Sequence, residues 1–110
     1  MYISVTGLKP NNFFSSIRFW LLAIPSFNQA KSSEGNLFCA TKSVNGYQHT
    51  ITAWDSKKSM KKFVASPTHL KAMKVFPEIA TGFTIGYESD EIPDWDTAIA
   101  RWNRDAASYN

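Results

Sequence analysis

The sequence contains few of the residues that cross-link or interrupt a small domain. Of its 110 residues, one is cysteine, and glycine and proline account for five each. A single cysteine, Cys39, excludes an internal disulfide, and because no cysteine and histidine cluster is present, we expect no metal site. Nothing in this composition favours an oxidising compartment. We therefore expect a cytoplasmic protein in which Cys39 is a small buried hydrophobe.

The sequence also lacks an apolar run long enough to cross a membrane. The most apolar stretch covers residues 13–30, but Arg18, three serines, Asn28 and Gln29 interrupt it, and Pro25 lies within it. A membrane-spanning helix needs about 20 predominantly apolar residues. A strand-like segment precedes the stretch, which is not typical of a secretory signal peptide. We therefore expect no membrane partner.

An excess of charge of one sign is also absent. The net charge is +3, which is too small to indicate a nucleic-acid partner. The charges are nevertheless unevenly distributed, with a basic cluster at Lys57, Lys58, Lys61 and Lys62 and an acidic cluster at Glu88, Asp90, Glu91, Asp94 and Asp96. We interpret both clusters as solvated surfaces.

Apolar and aromatic residues are well represented, at 44% and 15% of the chain. A chain of this length fits one domain, which buries roughly 65% of the surface that its unfolded form exposes. We therefore predict a single domain over residues 1–110. Its core should cover about residues 2–88, followed by a C-terminal helix over about residues 94–107.

The pattern in the first half of the chain predicts a strand, a helix and a hairpin. Apolar and polar residues alternate over residues 2–6, as in a half-buried strand. Large apolar residues then recur at spacings of four and three from Phe13, which predicts a helix that Pro25 should kink or end. Two strand-like runs, 36–44 and 47–54, flank Asn45-Gly46. This dipeptide predicts a hairpin with a type I′ turn.

The second half predicts one interrupted helix, a strand and a final helix. Ser66-Pro67 is a favourable helix start, and Pro77 should stop that helix. Residues 80–88 follow as a last strand. The order β-α-β-β-α-β predicts an α+β, ferredoxin-like fold, in which a four-stranded antiparallel sheet carries both main helices on one face. The main helices would leave the other face open, so we expect a partner subunit or a ligand to cover it. The C-terminal helix could cover the edge of its own sheet or reach over the partner subunit.

The third strand and the helix after it carry a recognisable pattern. Thr50–Asp55 reads Thr-Ile-Thr-Ala-Trp-Asp, and Phe63, Ser66 and His69 follow as Phe-x-x-Ser-x-x-His. Over roughly residues 2–90, the sequence resembles the dimeric α+β barrel superfamily, in particular antibiotic-biosynthesis-monooxygenase-like proteins and a subgroup similar to spheroidene-type monooxygenases. This resemblance implies a homodimer whose two sheets face each other and enclose one pocket per subunit.

The resemblance implies several chemistries rather than one. Members of the superfamily include cofactor-independent monooxygenases, haem-degrading enzymes, haem-dependent enzymes and proteins without known activity. The haem-degrading members rely on an Asn-Trp-His set that we do not place in this sequence. We therefore expect no cofactor, with haem as the alternative.

His69 is the candidate catalytic residue. If Ser66 caps the helix, His69 occupies the third helical position, where the positive end of the helix disfavours imidazolium. A neutral imidazole can accept a proton or ligate haem iron. The alternative is a histidine that packs against the helix and hydrogen-bonds a backbone group.

The candidate substrate-binding residues come from the third strand and its neighbours. We expect Ile51 and Ala53 to face the helices and the opposite side of the strand to face the barrel interior. The threonine hydroxyls and the tryptophan indole on that side would form a cavity floor that suits an aromatic ligand. The predicted set is Thr50, Thr52 and Trp54, with Trp20 and Phe83 as walls. The alternative is ordinary core or sheet packing.

Three function classes remain open. The first is a monooxygenase acting on a hydrophobic aromatic or polyene small molecule, in which His69 deprotonates a phenolic substrate whose anion reacts with oxygen. The second is a non-catalytic homodimer that binds a hydrophobic ligand such as haem. The third is an RNA-recognition module, which shares this topology. Residues 46–51 lack the basic and aromatic signature of that module, so we expect no nucleic-acid partner.

Overall fold

The computed structural model describes the backbone of residues 1–109 and the side chains of residues 1–105. Eight elements follow one another along the chain. They are β1 (Tyr2–Pro10), α1 (Phe13–Ser32), β2 (Asn36–Val44), β3 (Tyr47–Trp54), α2 (Lys57–Val64), α3 (Pro67–Ile79), β4 (Ala80–Glu88) and α4 (Trp95–Tyr109).

The four strands form one antiparallel sheet in the order β2-β3-β1-β4. Together with the helices, this order confirms the predicted α+β, ferredoxin-like fold. β1 and β3 are the central strands, and each therefore has a hydrogen-bonded neighbour on both sides. The direct pairing of Thr6 with Thr50 and with Thr84 sets the register of the sheet.

The β2–β3 hairpin turns at Asn45-Gly46, as predicted. Their φ angles are 53° and 84°, so both residues lie in the left-handed region that a type I′ turn requires. Asparagine tolerates that region and glycine adopts it without steric cost. The turn fixes which residues of β2 and β3 share a face, because Val44 pairs with Tyr47 and the pairing continues outward from there.

Both helices continue past their prolines, α1 by seven residues after Pro25 and α3 by two residues after Pro77, so the predicted early end of α1 was wrong. α1 continues past Pro25 to Ser32, and α3 includes Pro77 and ends at Ile79. In α1, Ser26 and Ala30 are buried beyond the proline, so packing stabilises the turns that follow it. In α3, buried Ile79 accepts a hydrogen bond of 2.8 Å from the backbone N–H of Asn11. Tertiary contacts therefore outweigh the loss of one backbone hydrogen bond at each proline.

The sheet face opposite the main helices is covered in part, so the prediction of an open face was wrong for that part. α4 packs over β1 and β4, where Ala98 and Trp102 join a core with the apolar side chains of the strands. The buried strand residues of this core are Ile3, Val5, Ile51, Ala53 and Ile85. α1, α2 and α3 lie on the opposite face.

The orientation predicted for β3 was also wrong. Ile51 and Ala53 face α4, and the Thr50, Thr52 and Trp54 side faces α1, α2 and α3. The apolar residues of β3 pack into the core that Ala98 and Trp102 of α4 form, and not against the main helices. A smaller second cluster, built on Phe19 and Ile79, joins α1 and α3 to the end of the sheet.

No helix in the described part of the chain is long and apolar enough to span a membrane.

Candidate functional site

A cavity of about 570 Å³ lies between the sheet and the layer formed by α1, α2 and α3. This volume is in the range of small-molecule sites. The cavity is bounded by side chains from all four strands and from the three helices. It therefore forms within a single chain.

The floor of the cavity is a row of threonines, one from each strand. Thr41 pairs with Thr50, Thr50 with Thr6, and Thr6 with Thr84, so the row crosses the whole sheet. Successive residues of a strand point to opposite faces, so residues paired directly across the strands share a face. All four threonines line the cavity. A second row runs beside the first and contains Cys39, Thr52, Ser4 and Gly86.

Most hydroxyls of the floor remain available to a ligand. The hydroxyls of Thr6 and Thr84 hydrogen-bond each other at 2.9 Å, and Thr52 accepts a hydrogen bond of 3.0 Å from the indole N–H of Trp54. Thr52 therefore keeps its own O–H as a donor. Within the described residues, the side chain of Thr50 makes no hydrogen bond. The floor thus offers several donors and acceptors on a rigid sheet.

The roof is apolar, in contrast to the floor. α1 and α3 supply it with aromatic and aliphatic side chains, and Phe19 packs against Phe76 with ring centroids 5.1 Å apart. Ser26 is the exception, since its buried hydroxyl lines the cavity and lacks a hydrogen-bond partner. The other large side chains of the roof are Trp20, Ile24, Phe27 and Met73. A flat apolar ligand with a polar edge matches this combination.

His69 lies in the wall of the cavity, at the third position of α3. Its Nδ1 is 3.2 Å from the carbonyl oxygen of Val64. A carbonyl can only accept, so Nδ1 carries the proton and Nε2 is left as the nitrogen that can accept one. The side chain of Ser66 makes no capping hydrogen bond, although Ser66 occupies the N-cap position.

The imidazole of His69 is held neutral by its surroundings. Burial lowers its pKa below the ordinary value of 6.5, and the Val64 carbonyl opposes that change only in part. The ring stands edge-on to Phe63, with centroids 4.8 Å apart, and Phe63 stacks on Trp54 at 5.4 Å. Because Trp54 is fully buried, this stack ties His69 to the sheet.

Cys39 lines the same cavity, but its thiol is not a nucleophile. Burial raises the pKa of Cys39 to about 11, and Lys31 opposes the rise. The thiolate is the reactive form of cysteine, so the group stays protonated and unreactive near neutral pH.

The structure brings five of the six predicted site residues to one cavity, but this cavity lies beneath α1, α2 and α3 and not between two facing sheets as predicted. Thr50, Thr52, Trp54, Trp20 and His69 all line it. Phe83 does not, and its prediction as a cavity wall was wrong. Its ring stacks on Trp102 with centroids 4.4 Å apart, on the α4 face of the sheet. The period of two that sets Thr84 on the cavity face sends Phe83 to the other.

Sequence reasoning missed the rest of the threonine row and Ser26. Thr6, Thr41 and Thr84 lie on three different strands, and no short motif joins them. Only the register of the sheet aligns them, so they can be found from the sequence only if that register is predicted first. The second histidine, His49, is also among the residues that line the cavity, but its ring lies on the α4 face, where it packs against Trp102 with centroids 4.9 Å apart.

The cavity does not fit haem. Nε2 of His69 is a nitrogen that could ligate iron, because Nδ1 is engaged with the Val64 carbonyl. Haem carries two carboxylates, however, and the residues that line the cavity include no lysine or arginine to pair with them. The donor set therefore favours an uncharged or weakly acidic organic ligand.

Comparison with solved structures shows what this arrangement is similar to. A candidate antibiotic biosynthesis monooxygenase of Deinococcus radiodurans superposes with a TM-score of 0.73 at 17% identity, over 86% of this chain and 97% of that chain. The likeness of fold that the resemblance implies is therefore confirmed. The chain shares the fold of this protein.

Two further structures share this fold. Rv0793 of Mycobacterium tuberculosis superposes with a TM-score of 0.73 at 10% identity, over 86% of this chain and all of that chain. SnoaB of Streptomyces nogalater, a cofactor-independent oxygenase, superposes with a TM-score of 0.68 at 10% identity, over 84% of this chain and 97% of that chain. No family model and no curated protein matches the sequence. At these identities, the likeness concerns the fold alone.

Proposed function

We propose that this protein is a cofactor-independent monooxygenase that acts on a hydrophobic aromatic or polyene molecule in the cavity beneath α1–α3. One observation carries the proposal: a neutral histidine, with Nδ1–H directed to the Val64 carbonyl, lies in the wall of an apolar cavity that has a hydroxyl floor. The fold shared with SnoaB, a cofactor-independent oxygenase, supports the same chemistry.

In this proposal, His69 acts as a general base. A phenolic aromatic substrate with an activated CH₂ group binds with its apolar surface against the roof and its oxygens on the threonine floor. Nε2 removes one proton, and the resulting anion transfers electrons to O₂ as a C–O bond forms. The proton returns to the oxygen adduct, which loses water to leave a carbonyl. The CH₂ group and O₂ thus become C=O and H₂O, and no external reductant is needed.

The base can be tested by oxygen uptake with a panel of anthrone-type and quinol substrates. We expect His69→Ala to lower kcat/KM by about 10²–10⁴-fold, the usual contribution of a general base. His49→Gln is the matched control, because His49 is the other histidine of the chain and lies on the opposite face. Uptake that is unchanged in His69→Ala, or absent across the panel for the unmodified protein, would contradict the proposal.

The pH dependence gives an independent check of the same base. Only neutral His69 can accept a proton, and burial lowers its pKa below 6.5. We therefore expect kcat/KM to fall at acid pH as the imidazole becomes protonated, with the midpoint of the fall below pH 6.5. A midpoint above pH 6.5 would indicate a different titrating group.

A non-catalytic ligand-binding protein is the second candidate. The observation that favours it is the edge-on contact of Phe63 with His69, which shields one part of the imidazole from a substrate. Tight binding of a hydroxylated anthraquinone, without oxygen uptake for any substrate in the panel, would support this candidate over the enzyme.

The predicted homodimer is also part of this proposal. Because α4 lies over β1 and β4, a partner's sheet could reach mainly β2 and β3, where Phe38 and Tyr47 are half-buried and Leu37 is exposed. Light scattering at micromolar concentration tests the dimer. A monomer would remove the shared barrel but leave the cavity, since one chain forms it.

A further inference from the structure

The outer surface of α1, α2 and α3, here called the helix layer, carries most of the exposed large apolar side chains. Phe13 and Phe14, at the start of α1, are 74% and 77% exposed. Of the eleven exposed large apolar residues among those described, nine belong to the helix layer. They are Phe13, Phe14, Ile17, Trp20, Leu21, Ile24, Val64, Leu70 and Met73. A patch of this extent on a small protein indicates an interaction surface.

The same layer is strongly basic. Its three helices contain eight basic residues and one acidic residue, Glu78, which gives a net charge of +7. Since the whole chain carries +3, the remaining residues carry −4. The single ion pair that the described layer makes with the rest of the chain joins Lys62 to Glu34 at 3.8 Å, with both side chains exposed. The basic residues are Arg18, Lys31, Lys57, Lys58, Lys61, Lys62, Lys71 and Lys74.

The apolar patch is continuous with the cavity. Trp20 and Ile24 of α1 line the cavity and are also partly exposed to solvent, and the same holds for Val64 and Met73. A shallow groove along α1 shares Trp20 and Ile24 with the cavity and extends to Phe13. A hydrophobic molecule can therefore pass from the patch into the cavity along apolar side chains.

We propose that the helix layer docks onto the surface of an anionic lipid bilayer, and that a hydrophobic ligand enters the cavity directly from the acyl-chain region. Exposed aromatic and aliphatic side chains beside lysines are what interfacial binding requires. A second copy of this chain is a poor occupant of the same surface, because two helix layers that each carry a net charge of +7 would repel each other. Docking at the surface of a bilayer does not require a membrane-spanning helix. The route of the ligand rests on the proposed function, whereas docking itself does not.

Vesicle flotation tests the docking directly. The full chain is mixed with vesicles of pure phosphatidylcholine or of phosphatidylcholine with 30% phosphatidylserine, at low and at 0.5 M salt. We expect flotation with the anionic vesicles at low salt, reduced by at least tenfold with neutral vesicles or at high salt. Absence of flotation with anionic vesicles, or equal flotation with both compositions, would overturn the proposal.

Two variants and a matched control locate the surface. Phe13→Ser with Phe14→Ser, and separately Lys58→Gln with Lys61→Gln, should each weaken flotation at least tenfold. Ile92→Ser removes an exposed apolar residue that lies outside the layer and outside the surface of β2 and β3, and it should leave flotation unchanged. Circular dichroism confirms that all variants fold. If only the control variant weakened flotation, the assignment of the surface would be overturned. A shift from dimer to monomer in the phenylalanine variant would also overturn it, because the surface would then be occupied by a second copy of the chain.

Docking and catalysis can fail separately. Flotation has no activity readout, so anionic vesicles that bind a protein whose oxygen uptake is insensitive to His69→Ala would support docking and contradict the proposed base. If both hold, a substrate dissolved in anionic vesicles should be consumed at least fivefold faster than the same amount in neutral vesicles. Equal rates would overturn the direct route from the bilayer.

Discussion

The two faces of the sheet are built from the same four strands but have opposite characters. On the α4 face, Val5, Ile51 and Trp102 pack into a core with almost no exposed surface. On the cavity face, the residues that alternate with them are threonines and serines, and about 570 Å³ lies between them and the helix layer. One face is filled to stabilise the fold and the other is left open.

The difference shows how this domain separates stability from function. Side chains packed on all sides stabilise a fold by several kcal/mol each, whereas half-solvated hydroxyls contribute little. The α4 face can therefore hold the sheet rigid while the cavity face keeps groups available for a ligand. Substitutions on the two faces should consequently have different effects.

The largest expected effect is that of Trp102→Ala, on the α4 face. Trp102 packs against Phe83 and His49, and its indole N–H donates to the Phe83 carbonyl at 3.0 Å. We expect a loss of about 3–5 kcal/mol in the free energy of unfolding, measured by urea denaturation. Trp20→Ala, on the cavity side, is the control and should cost about 1 kcal/mol. Equal losses would show that the two faces are not distinct.

A smaller effect is expected from adding one methyl group to each face. A Cβ at Gly7 would lie 2.5 Å from Trp102 and 2.7 Å from His49, both of which are buried. We expect Gly7→Ala to lower the free energy of unfolding by about 1–3 kcal/mol. A Cβ at Gly86 would meet the end of the Tyr2 side chain, which can move aside, so Gly86→Ala should cost less than about 0.5 kcal/mol. The reverse order would contradict the packing described here.

The smallest expected change in stability is that of Thr50→Val, on the cavity floor. Thr50 makes no side-chain hydrogen bond among the described residues, so the free energy of unfolding should change by less than about 0.5 kcal/mol. Binding of a hydroxylated anthraquinone, measured by fluorescence titration, should weaken by about fivefold because one polar contact is lost. Ile51→Val, its neighbour on the other face, should cost about 1 kcal/mol and leave binding unchanged.

Much of the fold could be predicted because its signals are local. The Asn45-Gly46 turn, the strand alternation and the Ser66-Pro67 helix start each depend on residues close together in the chain. The continuation of α1 past Pro25 could not be predicted in the same way, since the burial of Ser26 and Ala30 that stabilises it depends on the tertiary structure. α3, in contrast, ends at Ile79, two residues after Pro77.

The residues of the candidate site also fall into two groups, those that local sequence signals indicate and those that only the tertiary structure brings together. His69 and the Thr50, Thr52 and Trp54 side of β3 were accessible from a motif and from a period of two. The threonine row was not, because Thr6, Thr41 and Thr84 become neighbours only when four strands adopt one register. Phe83 was misplaced for a related reason: its aromatic ring suits a cavity wall and a core equally well.

The sequence by itself determined the order of the elements, the hairpin and the division of each strand into an apolar and a hydroxyl side. Only the tertiary structure decided which side would meet which helices. Alternation with a period of two sorts side chains into two sets, but it carries no information on what covers each set. That depends on α4, which brings Ala98 and Trp102 close enough to fill the apolar side, and on α1 and α3, whose aromatic side chains leave a cavity above the hydroxyls.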